Sequence, residues 1–316
     1  MLSNKERYRL LCEEIDDIPL FMQAWWMDAA CGEKKCDVFL YEKDSEKIIA
    51  SFVYHFVEKL GLKFILNPQL TQVSGLWIDY PKNQKLHKRY SFEKKIIDNF
   101  IAQLESLKAD FYSQNFHYSF KNWQPFYWKG FKQTTHYTYQ IRDLSSLERI
   151  FQSFSVAKQK HIKKGNNLQL DFSFTAESFY DFHKKCLLQK NEKITYSQKL
   201  FLSIYNEVEK RDKGKIIAIK DNNELHAALF IVWDMNSAYA LISAINPQYK
   251  NDGSSTKIFW EAIKFIADKT KIFDFEGSMI EGVAQSFQQF GTEQIPYFKI
   301  EKSYSRIFSV LKAIKK

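Results

Sequence analysis

Two acidic residues, Asp274 and Glu276, lie at the end of a short apolar segment, KIFDFEG, at 271–277. If this segment is a strand, alternation places both carboxylates on the face opposite Phe273 and Phe275. A carboxylate at such a position could accept a proton from an attacking amine, directly or through water. The alternative is that both side chains only hydrogen-bond main-chain groups at the strand end. We therefore take Asp274 and Glu276 as candidate catalytic residues.

A second candidate site precedes a predicted helix, where the chain reads KNDGSST at 250–256. The start of a helix offers unpaired main-chain N–H groups and the positive end of the helix dipole, so it can hold a diphosphate. The alternative is an ordinary helix start, with Asp252 or Ser254 as the N-cap. The residues assigned to anion binding are Lys250, Asn251, Gly253, Ser254, Ser255 and Thr256.

Basic residues cluster at 158–164, in the sequence KQKHIKK. Such a cluster could bind a nucleotide diphosphate or RNA, or it could be a solvated helix end whose lysines complement the helix dipole. Lys158, Lys163 and Tyr297 are the candidate residues for binding an acceptor molecule. A basic amphipathic stretch at 304–316 could rest on an anionic membrane or pack on its own domain.

Several other kinds of chemistry are not indicated. The four cysteines include no Cys-x-x-Cys pair and no matching histidine framework, so we expect neither a metal site nor disulfides. Nucleophile-elbow, Walker and dinucleotide-binding motifs are missing from the sequence. The first residues lack the apolar run of a secretory signal, and no window reaches the roughly 18 apolar residues of a membrane span, so we expect a cytoplasmic protein. The net charge of +9 favours an anionic partner, although such a charge also serves solubility.

The elements that must position these residues occur twice. Residues 37–67 and 215–246 both read as strand, polar turn, long strand, turn, strand, and both run into Asn-Pro-Gln. An amphipathic helix follows each copy, because apolar residues recur there at spacings of three and four. These residues are Ile96, Ile97, Phe100, Ile101, Leu104 and Leu107 in the first copy, and Ile258, Phe259, Ala262, Ile263 and Ile266 in the second. A buried strand then follows at 109–116 and 271–277, and we expect each copy to close with its own last strand, at 126–141 and 287–300.

The composition agrees with two domains. A chain of 316 residues with 45% hydrophobic residues can fill two cores, and 10 Gly and 6 Pro leave few breakers. Between the copies the pattern predicts a helical stretch, a strand and two helices, at 146–164, 168–174, 176–190 and 197–210. The predicted fold class is α+β, with domains at 1–145 and 146–303 and a tail at 304–316.

The order β-β-β-α-β-α-β resembles the GNAT unit, and two such units in one chain resemble the FemABX transferases. The most specific segment is FDFEGSMIEGVAQSFQQFG at 273–291, close to the family pattern F-D-F-x-G-S followed by F-K-x-x-F-G. The resemblance implies two tandem GNAT-like domains, each a mixed, mostly antiparallel sheet flanked by helices. It also implies that an acyl carbonyl is held where strands 237–245 and 272–276 splay apart, and that Gly253 belongs to the cradle for the acyl donor. Gln288 replaces the lysine of the family pattern, so a positive charge near the transferred group is missing.

The resemblance implies an N-acyltransferase that moves an acyl or aminoacyl group directly to an amine, with the acceptor entering between the domains. The co-substrate would be acyl-CoA or aminoacyl-tRNA, and the acceptor an anionic or carrier-linked molecule such as a cell-envelope precursor. One alternative is aminoacyl-tRNA-dependent extension of a peptidoglycan peptide, which Gln288 weakens. The other is a non-catalytic basic protein that binds RNA or an envelope precursor. Peripheral membrane contact through 304–316 remains a further expectation.

Overall fold

Alternating apolar residues produce the strands of this protein, and apolar residues three and four apart produce its long helices. The computed structural model describes residues 2–32, 35–43 and 47–305, so the predicted tail lies outside the described residues from 306 onwards. In chain order the helices are α1 (Asn4–Glu14), α2 (Ala24–Cys31), α3 (Leu86–Ser106), α4 (Gln124–Trp128), α5 (Leu147–Ser153), α6 (Val156–Lys164), α7 (Ala176–Leu188), α8 (Gln198–Lys210), α9 (Ser254–Ile266) and α10 (Glu281–Gln288). The strands are β1 (Cys36–Lys43), β2 (Lys47–Lys59), β3 (Leu62–Leu66), β4 (Gly75–Ile78), β5 (Phe111–Asn115), β6 (Lys132–Ile141), β7 (Gln169–Asp171), β8 (Gly214–Asp221), β9 (Glu224–Trp233), β10 (Ser237–Ile245), β11 (Ile272–Asp274) and β12 (Glu293–Ser303).

The chain forms two compact units, which do not follow the sequence order strictly. The first unit combines Met1–His136 with Pro296–Lys316, and the second is Tyr137–Ile295. The boundary predicted at 145/146 therefore lies close to the start of the second unit. Residues 296–303, however, which the sequence pattern assigns to the second domain, belong to the first unit.

The two copies of the repeat have the same strand pairing, which confirms the predicted fold class. In the first unit β1 pairs antiparallel with β2, β2 antiparallel with β3, and β3 parallel with β5. In the second unit β8, β9, β10 and β11 repeat this order of two antiparallel pairs and one parallel pair. Each unit therefore contains a mixed sheet with a parallel pair at the position where its long helix crosses over.

The closing strands differ from the prediction. The second half of β6, which ends the first copy, pairs with β11 of the second unit, through Phe273↔Ile141 and Asp274↔Gln140. The second half of β12, at the end of the second copy, pairs with β5 of the first unit. The expectation that each copy closes with its own strand is wrong, because both strands have the same alternating pattern and either could complete either sheet.

Each unit has its own apolar core beneath its long helix. The predicted stripe of α3 is buried, since its residues from Ile96 to Leu104 are at most 1% exposed, whereas Leu107 is only partly buried. The stripe of α9 is buried against β8, β9 and β11. On the other face of the second sheet, α7 and α8 pack Phe179 and Phe201 against Phe230 of β9. The buried sheet gives the end of β11 a rigid setting.

Cys31 and Cys36 form a disulfide, with Cα atoms 5.8 Å apart. The expectation of no disulfides is therefore wrong. Cys31 ends α2 and Cys36 begins β1, and the distance between their Cα atoms is within the range of a disulfide. Their spacing along the chain does not by itself indicate a pair.

None of the helices in the described ranges is both long enough and apolar enough to cross a membrane. Within the same ranges, no three His, Cys, Asp or Glu side chains come together as a group that could hold a metal ion.

Candidate functional site

The parallel strands β10 and β11 separate after a short pairing. Among the described residues they pair only from Ser237↔Ile272 to Tyr239↔Asp274, whereas β10 continues to Ile245. On its other edge β10 has an irregularity between Tyr239 and Ile242, where its register against β9 shifts. A strand that is bulged and has left its neighbour presents main-chain groups to the gap. We call this gap, with the end of β11, the splay site.

Asp274 is the most enclosed polar residue of the splay site, with 1% of its surface exposed. Its carboxylate accepts hydrogen bonds from the Thr138 hydroxyl, from Gln140 Nε2 at 2.7 Å and from the main-chain N–H of Glu276 at 2.8 Å. Thr138 and Gln140 are two residues apart on β6, so both face the same side of the strand that pairs with β11. Burial raises the pKa of Asp274 to about 6, and the three hydrogen bonds limit the rise.

Glu276 follows directly, in a backbone conformation that most residues avoid. Its φ is 60°, in the left-handed region, and this turns the chain out of β11. Its Oε1 atom is inaccessible to solvent and has no hydrogen-bond partner among the described residues. Burial, and then the neighbouring Asp274 charge, raise the pKa of Glu276 well above its ordinary value. A strained backbone at a residue with a raised carboxyl pKa is typical of a functional site.

The two carboxyl groups therefore behave as a coupled pair. Burial raises the pKa of both carboxyl groups, and the charge of Asp274 raises the pKa of Glu276 as well. Such a pair can both accept and release a proton during a reaction.

An aromatic wall backs the splay site. The ring of Phe275 contacts those of Phe259, Phe287 and Phe290, with centroids 5.4, 5.2 and 4.9 Å away. These contacts attach α10 to the end of β11 and exclude water from beneath the carboxyl groups. Gln288, which replaces the lysine of the family pattern, is exposed on α10.

The predicted acceptor-binding residues have different surroundings within their own units. Lys158 is 9% exposed, and its Nζ donates to Ser286 Oγ at 2.9 Å and lies 4.4 Å from the centre of the Phe290 ring. Burial lowers the pKa of Lys158 to about 8. Lys163 is exposed on the same helix. Tyr297 is in the first unit, where its ring lies 5.6 Å from that of His136.

The predicted anion cradle at 250–256 is closed by its own unit. The N–H of Ser254 donates to Asp252 Oδ1 at 2.8 Å, and those of Thr256 and Lys257 donate to the Gly253 carbonyl. The helix begins at Ser254 with Gly253 as its N-cap, so neither Asp252 nor Ser254 takes the N-cap position that the alternative gave them. These three amides are already engaged, so they do not offer the free N–H groups that a diphosphate requires.

The C-terminal end of α6 covers the same turn. A Cβ placed on Gly253 would lie 2.1 Å from the His161 carbonyl oxygen, and Lys164 Nζ donates to the Asn251 carbonyl at 2.7 Å. Gly253 and Ser254 are buried with Thr256, Ser255 is half-buried, and Lys250 and Asn251 are exposed. The structure thus brings the catalytic candidates together but leaves the cradle candidates without an open anion site.

Sequence reasoning missed Thr138 and Gln140, which hold Asp274. The available signal was the period-two run of polar residues Thr134, His136, Thr138 and Gln140 in β6. This run shows that one face of the strand is polar, but it does not show which strand lies beside it.

Comparison with known proteins agrees with this architecture. No protein-family model matches the chain, and no curated protein matches it. Its structure is similar to that of FemX, with a TM-score of 0.71 and 11% sequence identity over 100% of this chain and 99% of that one. A tandem GNAT protein from the clavulanic acid biosynthesis pathway superposes with a TM-score of 0.51 and 6% identity, covering 94% and 92%. The protein thus has the fold of two GNAT-like units in tandem.

A protein from Agrobacterium fabrum is also similar. It is the C-terminal domain of a chain described as a lysylphosphatidylglycerol synthetase, with a TM-score of 0.58 and 8% identity over 98% of this chain and 94% of that one. Identities this low establish the fold that the chain shares with FemX and these proteins.

Proposed function

We propose that this protein transfers an acyl or aminoacyl group from an ester or thioester directly to an amine acceptor. The observation that carries the proposal is the buried carboxyl pair, Asp274 and Glu276, at the point where β10 and β11 separate. The similarity to FemX and to GNAT-type proteins supports the reaction class.

In the proposed reaction, main-chain groups of β10 beyond Tyr239 hold the donor carbonyl, and the acceptor amine attacks its carbon. A new C–N bond forms as the C–O or C–S bond of the donor breaks. The carboxyl pair accepts the proton that the attacking nitrogen loses and supplies one to the leaving oxygen or sulfur. Proton number is therefore conserved, and no acylated enzyme is needed.

The closed turn at 250–256 favours aminoacyl-tRNA over acyl-CoA as the donor. A CoA diphosphate held as in the GNAT pattern would need the amides that Asp252 and Gly253 already occupy. The similarity in fold to a domain of a protein named as a lysylphosphatidylglycerol synthetase, a name that indicates transfer of a lysyl group, also supports an aminoacyl donor. We therefore propose an aminoacyl donor and, as acceptor, an amine on an anionic or carrier-linked molecule such as a cell-envelope precursor in the cytoplasm.

The test follows donor consumption with acyl-CoA and with a charged tRNA pool, in the presence of amine acceptors. Glu276→Gln should lower kcat by roughly a hundredfold or more, because it removes one member of the pair. Glu281→Gln is the matched control, since this exposed glutamate begins α10 only five residues later. Wild-type activity should rise with pH through about 6, as Asp274 ionises.

Two results would argue against the proposal. Full activity of Glu276→Gln would remove the carboxyl pair from the mechanism. If wild-type protein consumes neither donor at high enzyme concentration, the alternative of a non-catalytic binding protein is favoured.

A further inference from the structure

The first unit has a surface on which exposed apolar side chains and basic side chains occur together. Leu86, Tyr90, Tyr127 and Trp128 have exposed fractions of 67%, 57%, 62% and 54%. They lie on α3 and α4, which pack against each other. Leu86, Tyr90 and Trp128 line one open groove of about 700 Å³. We call these four residues, with the basic residues around them, the α3–α4 face.

Basic side chains border this groove, since Arg89, Lys94 and Lys121 line it together with the exposed apolar residues. Segments 82–95 and 118–132 contain nine Lys and Arg residues and one acidic residue, a net charge of +8, compared with +9 for the whole chain. All nine basic residues are exposed. The basic residues are Lys82, Lys85, Lys88, Arg89, Lys94, Lys95, Lys121, Lys129 and Lys132.

The acidic residue of these segments is turned inward. Glu93 is 6% exposed, and its carboxylate accepts hydrogen bonds from the Tyr80 hydroxyl at 2.9 Å, Arg89 Nε at 3.2 Å and Asn122 Nδ2 at 2.8 Å. Lys94 pairs with Asp98, the next acidic residue along α3. Arg89, Lys94 and Lys121 are therefore the exposed charged residues of the groove lining, while Glu93 joins α3 to the loop before α4.

We propose that the α3–α4 face docks on a lipid bilayer that contains anionic lipids. Tyr and Trp rings favour the headgroup level of a membrane, where an apolar ring and a polar edge are both solvated. Lysine stems can lie along the apolar region while their ammonium groups reach lipid phosphates. Leu86 distinguishes this surface from a nucleic-acid site, because an aliphatic side chain offers no ring on which a base can stack. The proposal does not depend on the proposed catalytic function.

The experiment measures sedimentation of the full chain with vesicles of phosphatidylcholine alone or with phosphatidylglycerol added. We expect binding only when the anionic lipid is present, and weaker binding at high salt. Lys94→Glu/Lys121→Glu, which changes two lysines that line the groove, should lower the partition coefficient by roughly 25-fold or more, at about fivefold for each lysine lost. Lys184→Glu/Lys193→Glu has the same change in charge on exposed lysines of the second unit, and it should bind as the wild type does.

The apolar contribution is tested separately. Tyr90→Ser/Trp128→Ser should lose the binding that persists at high salt, whereas Leu188→Ser, which alters a 57% exposed leucine of the second unit, should not. Trp128→Phe should still bind but lose part of the fluorescence quenching by lipids with brominated acyl chains. Far-UV circular dichroism of each variant confirms that it is folded.

Three outcomes would overturn the proposal. One is an absence of binding to anionic vesicles at low salt. Another is equal loss of binding in the variants of the α3–α4 face and in their controls. The third is binding of a single-stranded oligonucleotide that is weakened by the same variants while anionic vesicles are not bound, since that result would assign the face to nucleic acid.

Discussion

Replacing Asp274 by asparagine should make the protein more stable relative to the wild type as the pH rises. In the folded protein burial raises the pKa of this carboxyl group from the ordinary 3.8 to about 6. Between these two values the folded state binds more protons than the unfolded state, so wild-type stability falls as the pH rises through this interval. The free energy of unfolding of the wild type therefore falls by about 3 kcal/mol over this interval, at about 1.4 kcal/mol for each unit of pKa shift. An asparagine does not ionise and escapes this loss.

The substitution also has a cost that does not depend on pH. Gln140 Nε2 donates to one carboxylate oxygen and Thr138 to the other, whereas an asparagine has one oxygen and one NH₂ group. Losing one such hydrogen bond costs about 1 kcal/mol. We therefore expect Asp274→Asn to be less stable than the wild type near pH 4 and about 2 kcal/mol more stable near pH 8.

The assay is urea unfolding of both proteins at several pH values between about 4 and 8. Asp268→Asn is the control, because Asp268 is exposed in the same unit, and its variant should follow the wild type throughout. A constant difference between Asp274→Asn and the wild type over this range would refute the reasoning. It would mean that burial does not raise the pKa of Asp274 in the folded protein.

Three further predictions follow from individual contacts. Thr138→Val should shift the rising limb of the pH–rate profile to higher pH, because the Thr138 hydroxyl stabilises the charged form of Asp274. Thr138→Ser, which keeps the hydroxyl, should have the wild-type profile. An unshifted profile in Thr138→Val would exclude this positioning role. Lys158→Met should raise the urea midpoint of unfolding at pH 7, because the wild-type protein buries a charged lysine there. The increase in the midpoint should become smaller above about pH 8, where Lys158 loses its charge in the folded wild type. Lys163→Met, at an exposed site, should leave the midpoint unchanged. Gly253→Ala should cost at least about 2 kcal/mol, because its Cβ would overlap a carbonyl of α6. Gly130→Ala is the control, because Gly130 also has a positive φ but a Cβ there would meet open space. An equal loss of stability in both variants would disprove the overlap argument.

The sequence was most informative where the signal is local. Strands and helices of both copies follow from alternation and from three- and four-residue spacing, as the burial of α3 and α9 confirms. Alternation was also the reason for pairing Asp274 with Glu276, although β11 ends at Asp274 and Glu276 lies beyond it with a φ of 60°. Each of these inferences needs only neighbouring residues.

Features that depend on tertiary contacts were not predictable in this way. Gly165 and Gly253 approach each other closely, since a Cβ on Gly253 would be 2.9 Å from the Gly165 nitrogen. This approach closes the predicted cradle, yet the two glycines are far apart in sequence. The Cys31–Cys36 disulfide was missed for a related reason, because it depends on how the turn between α2 and β1 folds.

The exchange of closing strands determines which residues hold Asp274. Asp274 belongs to the second copy of the repeat, but Thr138 and Gln140, which hold it, are on β6 at the end of the first copy. A fragment that begins at the predicted boundary of 146 would retain both carboxyl groups and lose these two hydrogen-bond donors. The pKa of Asp274 would then lose the hydrogen bonds that now limit its rise. The second unit needs β6 to hold Asp274, so the duplicated chain is more than two independent copies of one module.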